Sequence, residues 1–268
     1  TFSPVGSRNI GAGDYSKFDG SEKPLIHNEI LNIIQQWYKG TPEEERVRRV
    51  LWLELTNSLH IQEDVLYEWY TSLPSGHPLT ATVNTMYNGI AFRYCWLRAF
   101  NDEPTLKYTF NKNAYLICLG DDNVFSVHPN CSSKFTEVVV GQYMSELGLT
   151  YTSETKDVVN ETLRALTEVE FLKRRWRYST ELRRYVAPHQ IKKLRDMPLW
   201  TKRGSQADQI VIDKIDSVIA ELALHGKPVF TEQSKYICEL SVKTMNHYPQ
   251  DLNYSSNLQK ISSMEMFC

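Results

Sequence analysis

The sequence predicts an α+β protein in which strands and helices mix over the first two thirds and helices dominate the last third. Three observations predict this. Two short apolar runs, 114–119 and 124–127, flank Gly120-Asp121-Asp122-Asn123, and strand-like segments around such turn residues form a β-hairpin. Leu25, Ile26, Ile30, Leu31, Ile33, Ile34 and Trp37 recur at helical spacing. After Pro188 the pattern becomes mainly helical, with segments near 207–225 and 231–245, so a division of the chain into 1–187 and 188–268 is expected.

Taken in order, residues 9–15 are partly apolar, contain glycine and read as a strand entering a turn. A helix over 24–38 follows, stopped by Gly40. Thr41-Pro42-Glu43-Glu44 supplies a cap, a first-turn proline and a glutamate three residues after the cap, which starts a second helix running to about Leu59. Residues 64–70 are aromatic and β-branched and predict a strand. Pro74-Ser75-Gly76-His77-Pro78 is a loop before a long helix over 79–100. Beyond the hairpin, a helix is expected over 135–147, and strands over 149–152, 169–172 and 183–186.

Of the 268 residues, 41% are hydrophobic and 23% charged, so the chain can bury a core. The net charge of −2 gives no global basic field, although a nucleic-acid groove needs only local charge. Five cysteines without a CxxC pair argue against a disulfide framework or a zinc site and for a reducing compartment. No apolar run approaches the ~20 residues that cross a bilayer, and no signal-peptide pattern is present. The chain begins at Thr1 directly in patterned sequence and is read as a piece of a longer polypeptide.

Three carboxylates stand out. Asp14 follows a predicted strand, and Asp121 and Asp122 sit at the predicted hairpin turn. Magnesium takes hard oxygen ligands, and one or two carboxylates from each of two neighbouring strands would supply them. Successive strand residues face opposite ways, so Asp121 and Asp122 converge only if the turn breaks the alternation, which ranks Asp121 first. Taken singly, these signals equal ordinary turn chemistry, because Asp favours such backbones.

The order of motifs changes that weighing. Gly13-Asp14-Tyr15-Ser16-Lys17-Phe18-Asp19-Gly20-Ser21 resembles motif A of RNA-dependent RNA polymerases. Pro74-Ser75-Gly76 with Thr80 and Asn84 resembles motif B, Leu119-Gly120-Asp121-Asp122-Asn123 motif C, Leu147-Gly148-Leu149-Thr150 with Lys156 motif D, and Phe171-Leu172-Lys173-Arg174 motif E. The five stand in the family's order and approximate spacing. The resemblance is to the picornavirus-like group, particularly dicistroviruses and marnaviruses, and covers nearly the whole chain, with Pro198-Leu199-Trp200-Thr201-Lys202 similar to the start of that group's thumb.

The resemblance implies a right-hand polymerase palm with a central antiparallel sheet over 1–187, a helical thumb over 188–268, and residues about 40–73 projecting into fingers that are largely missing. It implies magnesium, with manganese as a substitute, held by Asp14, Asp121, Asp122 and the Tyr15 carbonyl. Asp19 and Asn84, with Ser75, Gly76 and Thr80 close by, would read the ribose 2′-hydroxyl, which is both donor and acceptor. Lys156 would act as a general acid at the leaving pyrophosphate. Lys173, Arg174 and Arg175 would grip RNA, while Phe171 and Trp176 enter the core; on a strand, Lys173, Arg175 and Arg177 would share a face. The implied partners are template and primer RNA, ribonucleoside triphosphates and upstream fingers of the same polypeptide. The implied setting is the host cytoplasm at membrane-associated replication complexes.

Two departures are visible. Leu119 replaces the group's usual Tyr, where a core-facing or backbone role is expected, and Leu79 stands where many picornaviruses have Gly. Two other readings stay open: a reverse transcriptase, against which a polar Asp19–Asn84 pair argues, and a non-catalytic RNA-binding fragment. Without fingers, this chain alone is expected to have little activity.

Overall fold

A computed structural model describes residues 7–70, 72–201, 204 and 206–264. The chain divides into two compact units, Thr1–Phe171 and Leu172–Cys268.

The first unit contains β1 (Ile10–Ser16), α1 (Pro24–Tyr38), α2 (Pro42–Thr56), β2 (Asn57–Gln62), β3 (Val65–Tyr70), α3 (Thr80–Ala99), the one-turn helices α4 (Pro104–Lys107) and α5 (Phe110–Asn113), β4 (Ala114–Leu119), β5 (Asp122–Val127), α6 (Glu137–Glu146), β6 (Thr150–Ser153) and β7 (Glu170–Phe171). Four strands form one sheet in the order β4-β5-β1-β6, antiparallel throughout. α3 and α6 pack on each other, α3 against β4, and α6 against β1 and β6. Phe92, Trp96, Phe125, Phe135 and Met144 fill the resulting core.

β1 is buried from Ile10 to Tyr15, without the alternation of a one-sided strand. Its glycines make this possible. A Cβ on Gly11 would lie 2.3 Å from the Phe125 ring, and one on Gly13 2.2 Å from Tyr151, so both rings lie across bare backbone.

α1 spans Pro24–Tyr38 as expected, and Lys39, the residue before Gly40, ends it in the left-handed conformation (φ 42°). α2 starts as expected: Thr41 Oγ1 accepts from the Glu44 N–H, and Glu44 Oε2 accepts from the Thr41 N–H at 2.7 Å. It stops at Thr56, and the residues expected to extend it form β2, which pairs with β3 from Asn57↔Tyr70 to Gln62↔Val65. Leu59 and Ile61 are exposed there, so no burial period marks β2 in the sequence.

The second unit contains β8 (Arg174–Arg175), β9 (Arg177–Ser179), β10 (Arg184–Val186), α7 (Ile191–Asp196), α8 (Ala207–Leu222), α9 (Lys227–Met245) and α10 (Tyr254–Met264). β9 and β10 pair antiparallel. The units divide at Phe171/Leu172, ahead of the boundary expected at Pro188. The reason is packing: Val186 at the end of β10 belongs to a core with Leu194, Ile215, Ile219, Leu222 and Phe230. The change from strand to helix pattern at Pro188 therefore lies inside one packed unit.

Candidate active site

The hairpin that carries Asp121 is tighter than its four turn residues imply. Leu119 pairs with Asp122, which leaves Gly120 and Asp121 as a two-residue turn. Gly120 has φ +64° while Asp121 stays at negative φ, the pattern of a II′ turn with glycine first. Asp122 is the first residue of β5, so Asp121 belongs to the turn and Asp122 to the strand.

β1 brings Asp14 to this tip. Gly13 is paired with Asn123 on one side and Ser153 on the other, so Asp14 continues β1 toward the Gly120–Asp121 turn. Asp14 is buried; its Oδ1 accepts from the Tyr15 N–H at 2.7 Å, and its Oδ2 lies 3.2 Å from the Lys156 ammonium. Lys156 itself is exposed, in a tight turn after β6, at φ 64°. Burial raises the Asp121 carboxyl above its ordinary range, and the negative charges of Asp14 and Asp19 push the same way, against Lys156.

A second group adjoins the first. Asp19 sits in a 3₁₀ turn after β1, entered through a left-handed Lys17. One carboxylate oxygen accepts from Ser75 Oγ at 2.8 Å and the other from Asn84 Nδ2 at 2.7 Å. Thr80 Oγ1 donates to the Pro74 carbonyl at 2.8 Å and closes the loop in which Gly76 takes φ +88°. The Asn84 Oδ1 is buried with no hydrogen-bond partner among the described residues.

Residues that sequence reasoning passed over hold the turn. Asn88, fully buried on α3, accepts from Tyr15 Oη at 2.9 Å and donates to the carbonyls of Gly120 and Asp121 at 3.2 and 3.1 Å. Thr85 Oγ1 accepts from the Gly120 N–H, and Asn123 Nδ2 donates to the Asp121 carbonyl. The available signal was Asn84 and Asn88 four apart on the buried face of a helix, where unpaired amides are costly.

The remaining expectations fare differently. Leu119 is 50% exposed on β4 rather than core-facing, along with Tyr115 and Ile117. Leu79 caps α3 at φ −88°, an ordinary conformation for a residue with a side chain. Leu172 and Lys173 both have positive φ, so Lys173 lies in a turn and does not share a strand face with Arg175 and Arg177. Arg174 is engaged within the second unit: its guanidinium donates to Glu221 and to the Ala187 carbonyl, both at 2.6 Å. Arg177 donates to the Leu224 carbonyl. Lys173 and Arg175 are exposed.

The donor set suits a hard divalent cation. Asp14 and Asp121 approach as like charges with one exposed ammonium beside them. No group of three or more His, Cys, Asp or Glu among the described residues forms a ready cage. Magnesium is held through one or two carboxylates plus substrate phosphates rather than by an all-protein cage, so a buried Asp14 beside a half-buried Asp121 at the hairpin turn fits it.

The profile described as viral RNA-dependent RNA polymerase matches residues 4–241. The replicase polyprotein of Drosophila C virus is 34% identical over 94% of this chain and 15% of its own length. That of cricket paralysis virus is 28% identical over 92% of the chain, again 15% of its own length. The chain thus spans a small part of these polyproteins. The RNA-dependent RNA polymerase of a sicinivirus shares the fold with TM-score 0.75 at 18% identity, over 97% of this chain and 52% of that one. With a family match running across both units, the chain belongs to the viral RNA-dependent RNA polymerase family.

Proposed function

We propose that this chain carries the nucleotidyl-transfer centre of an enzyme that extends an RNA 3′ end on an RNA template for viral genome replication. The observation that carries the reading is the meeting of Asp14, in the second half of β1, with the Gly120–Asp121 turn, beside the Asp19–Ser75–Asn84 group. Two divalent cations about 3.5–4 Å apart, magnesium with manganese as a substitute, supply the clamp on attacking and leaving oxygens that is general to polymerases. Asp14 and Asp121 would hold them, with Asp122 and the Tyr15 carbonyl assisting.

Asp19 is aimed by Ser75 and Asn84 and can accept from a ribose 2′-hydroxyl. A deoxyribose would leave that acceptor unanswered, which favours ribonucleotides over the substrates of a reverse transcriptase. Lys156 stands 3.2 Å from the Asp14 carboxylate, and there it would protonate the leaving pyrophosphate. In the second unit, the exposed Lys173 and Arg175 are the basic residues of the motif E run assigned to RNA backbone. The upstream fingers of the same polypeptide and a cytoplasmic, membrane-associated replication complex belong to the same reading; no helix among the described residues is long and apolar enough to cross a membrane.

The test is extension of an RNA primer by the full polypeptide with and without Asp121→Ala. The substitution is expected to lower the rate by several orders of magnitude. A variant that keeps its rate within about tenfold would refute the assignment.

A further inference from the structure

Behind the site lies a buried ionic group that none of the proposed catalytic roles uses. Arg164, on the loop before β7, forms a backbone bridge with Ile10 in both directions, at 3.0 and 2.7 Å, so its main chain is fixed at the start of β1. Its guanidinium meets both oxygens of Glu154 at 2.7 and 2.8 Å and one oxygen of Glu137 at 2.8 Å. It also donates to the Ala12 carbonyl at 3.4 Å and the Glu168 carbonyl at 3.3 Å. The Arg164 side chain is 13% exposed, Glu154 7% and Glu137 0%.

The residues that Arg164 touches are neighbours of the site in sequence. Ala12 lies two positions before Asp14, and Glu154 two before Lys156. Between them, Gly13 and Ser153 are paired across β1 and β6. The Lys156 turn is closed on its own backbone: Ser153 N–H donates to the Asp157 carbonyl, Lys156 N–H to the Ser153 carbonyl, and Asp157 N–H to Ser153 Oγ. Its far end is tied through Asn160, whose backbone N–H and Nδ2 both donate to Glu137 Oε2 at 3.0 and 3.1 Å. The other oxygen of Glu137 accepts from the Ala12 N–H at 3.1 Å. Both ends of the turn that presents Lys156, and the strand that presents Asp14, are therefore referenced to one guanidinium.

We propose that Arg164 is a positioning residue: through Glu154 and Glu137 it sets where Lys156 stands relative to Asp14. The inference rests on the Lys156 role given above. A planar guanidinium can bind Glu154 through two parallel bonds while reaching Glu137; an ammonium has neither the fork nor the span. Misplacing a reacting group by about 1 Å can cost a large factor in rate without weakening substrate binding.

The experiment is a double-mutant cycle in the full polypeptide, Arg164→Lys against Lys156→Ala, read as single-nucleotide incorporation normalised to active sites. Arg164→Lys alone is expected to lower the saturating rate roughly tenfold and to change the nucleotide KM by less than about twofold. In the Lys156→Ala background it is expected to change the rate by less than about twofold. In the metal-free polypeptide, hydrogen exchange in residues 153–160 should rise on Arg164→Lys. Equal rate losses in both backgrounds, or unchanged exchange in 153–160, overturn the inference while leaving the Lys156 assignment standing. A Lys156→Ala enzyme as fast as the parent overturns both. If Arg164→Lys gives no cooperative melt, Glu154→Gln, which keeps the shape and removes one charge, takes its place with the same expected pattern.

Discussion

Gly13→Ala tests how closely β1 and β6 are fitted. The added Cβ would lie 2.2 Å from both Cζ and Oη of Tyr151. An optimal carbon contact is about 3.5 Å, so the ring must move by roughly 1.3 Å or the strands must part. The ring has little room, since it packs edge-on against Tyr15 at 5.2 Å and Phe92 at 6.2 Å. Its hydroxyl donates to Asn123 Oδ1 at 2.9 Å, and a displacement of that size breaks the bond. Overpacking costs about 1–3 kcal/mol. The unpaired Asn123 oxygen adds about 1–3 kcal/mol, since Asn123 is 1% exposed. Gly13 has no positive φ, so alanine gains back about 0.4–1 kcal/mol from the unfolded chain. The net loss is about 3 kcal/mol, or about 6–12 °C in Tm for a unit of this size. Calorimetry of the full polypeptide measures it. Tyr151→Phe should also cost less in the Gly13→Ala background, where its hydrogen bond is already broken. A Tm lowered by less than about 2 °C, or a Tyr151→Phe cost equal in both backgrounds, would refute the reasoning.

Asn88→Ala strips one amide that satisfies Tyr15 Oη and two turn carbonyls, so it should destabilise the fold by about 2–4 kcal/mol and lower the saturating incorporation rate more than it raises nucleotide KM, as read by single-turnover kinetics. Thr41→Ala removes the cap of α2 and should cost about 1 kcal/mol, seen as faster hydrogen exchange at the start of α2 with incorporation unchanged. Burial, first among the causes, lowers both His189 and His225 in the second unit, so the stability they contribute is present above the ordinary histidine pKa and lost as pH falls through their depressed folded values. Protection factors in 184–225, corrected for the pH dependence of intrinsic exchange, should therefore fall as pH drops from about 7 to about 5, and His225→Gln, whose amide can still donate to the His189 carbonyl, should reduce that fall.

What the sequence made legible was what local chemistry dictates. Turn residues between apolar runs marked the β4–β5 hairpin, a proline and a capping box marked α2, and helical spacing marked α1 within its observed limits. Asp14 and Asp121 could be named because an acid beside a strand end or in a turn is visible locally, and the order of motifs then joined them. What stayed hidden depends on partners far away in the chain. Asn88 is unremarkable until the carbonyls 32 and 33 residues later close on it. Arg164 reads as a surface charge until Glu137 and Glu154 surround it. Arg174 looked available to RNA because nothing nearby hints at Glu221, 47 residues on. The β2 strand was invisible for the opposite reason: its apolar residues are exposed, so burial imposed no period on it.

The same contrast explains how the site keeps its charge. The Gly120–Asp121 turn is fixed by neutral groups, Asn88, Asn123 and Thr85, which satisfy its backbone without neutralising Asp121. A lysine at position 88 could hold the same carbonyls, but it would place a positive charge beside Asp121, whose carboxyl is raised first by burial and further by the negative charges of Asp14 and Asp19. Behind β1, Arg164 is outnumbered by Glu137 and Glu154, so that layer also contributes no net positive field. Rigidity comes from amides and from a balanced or acidic cluster, and the positive charge that meets Asp14 is an exposed ammonium. Carboxylates held in this way repel one another, and a divalent cation bound by them would relieve that repulsion without having to organise the backbone first.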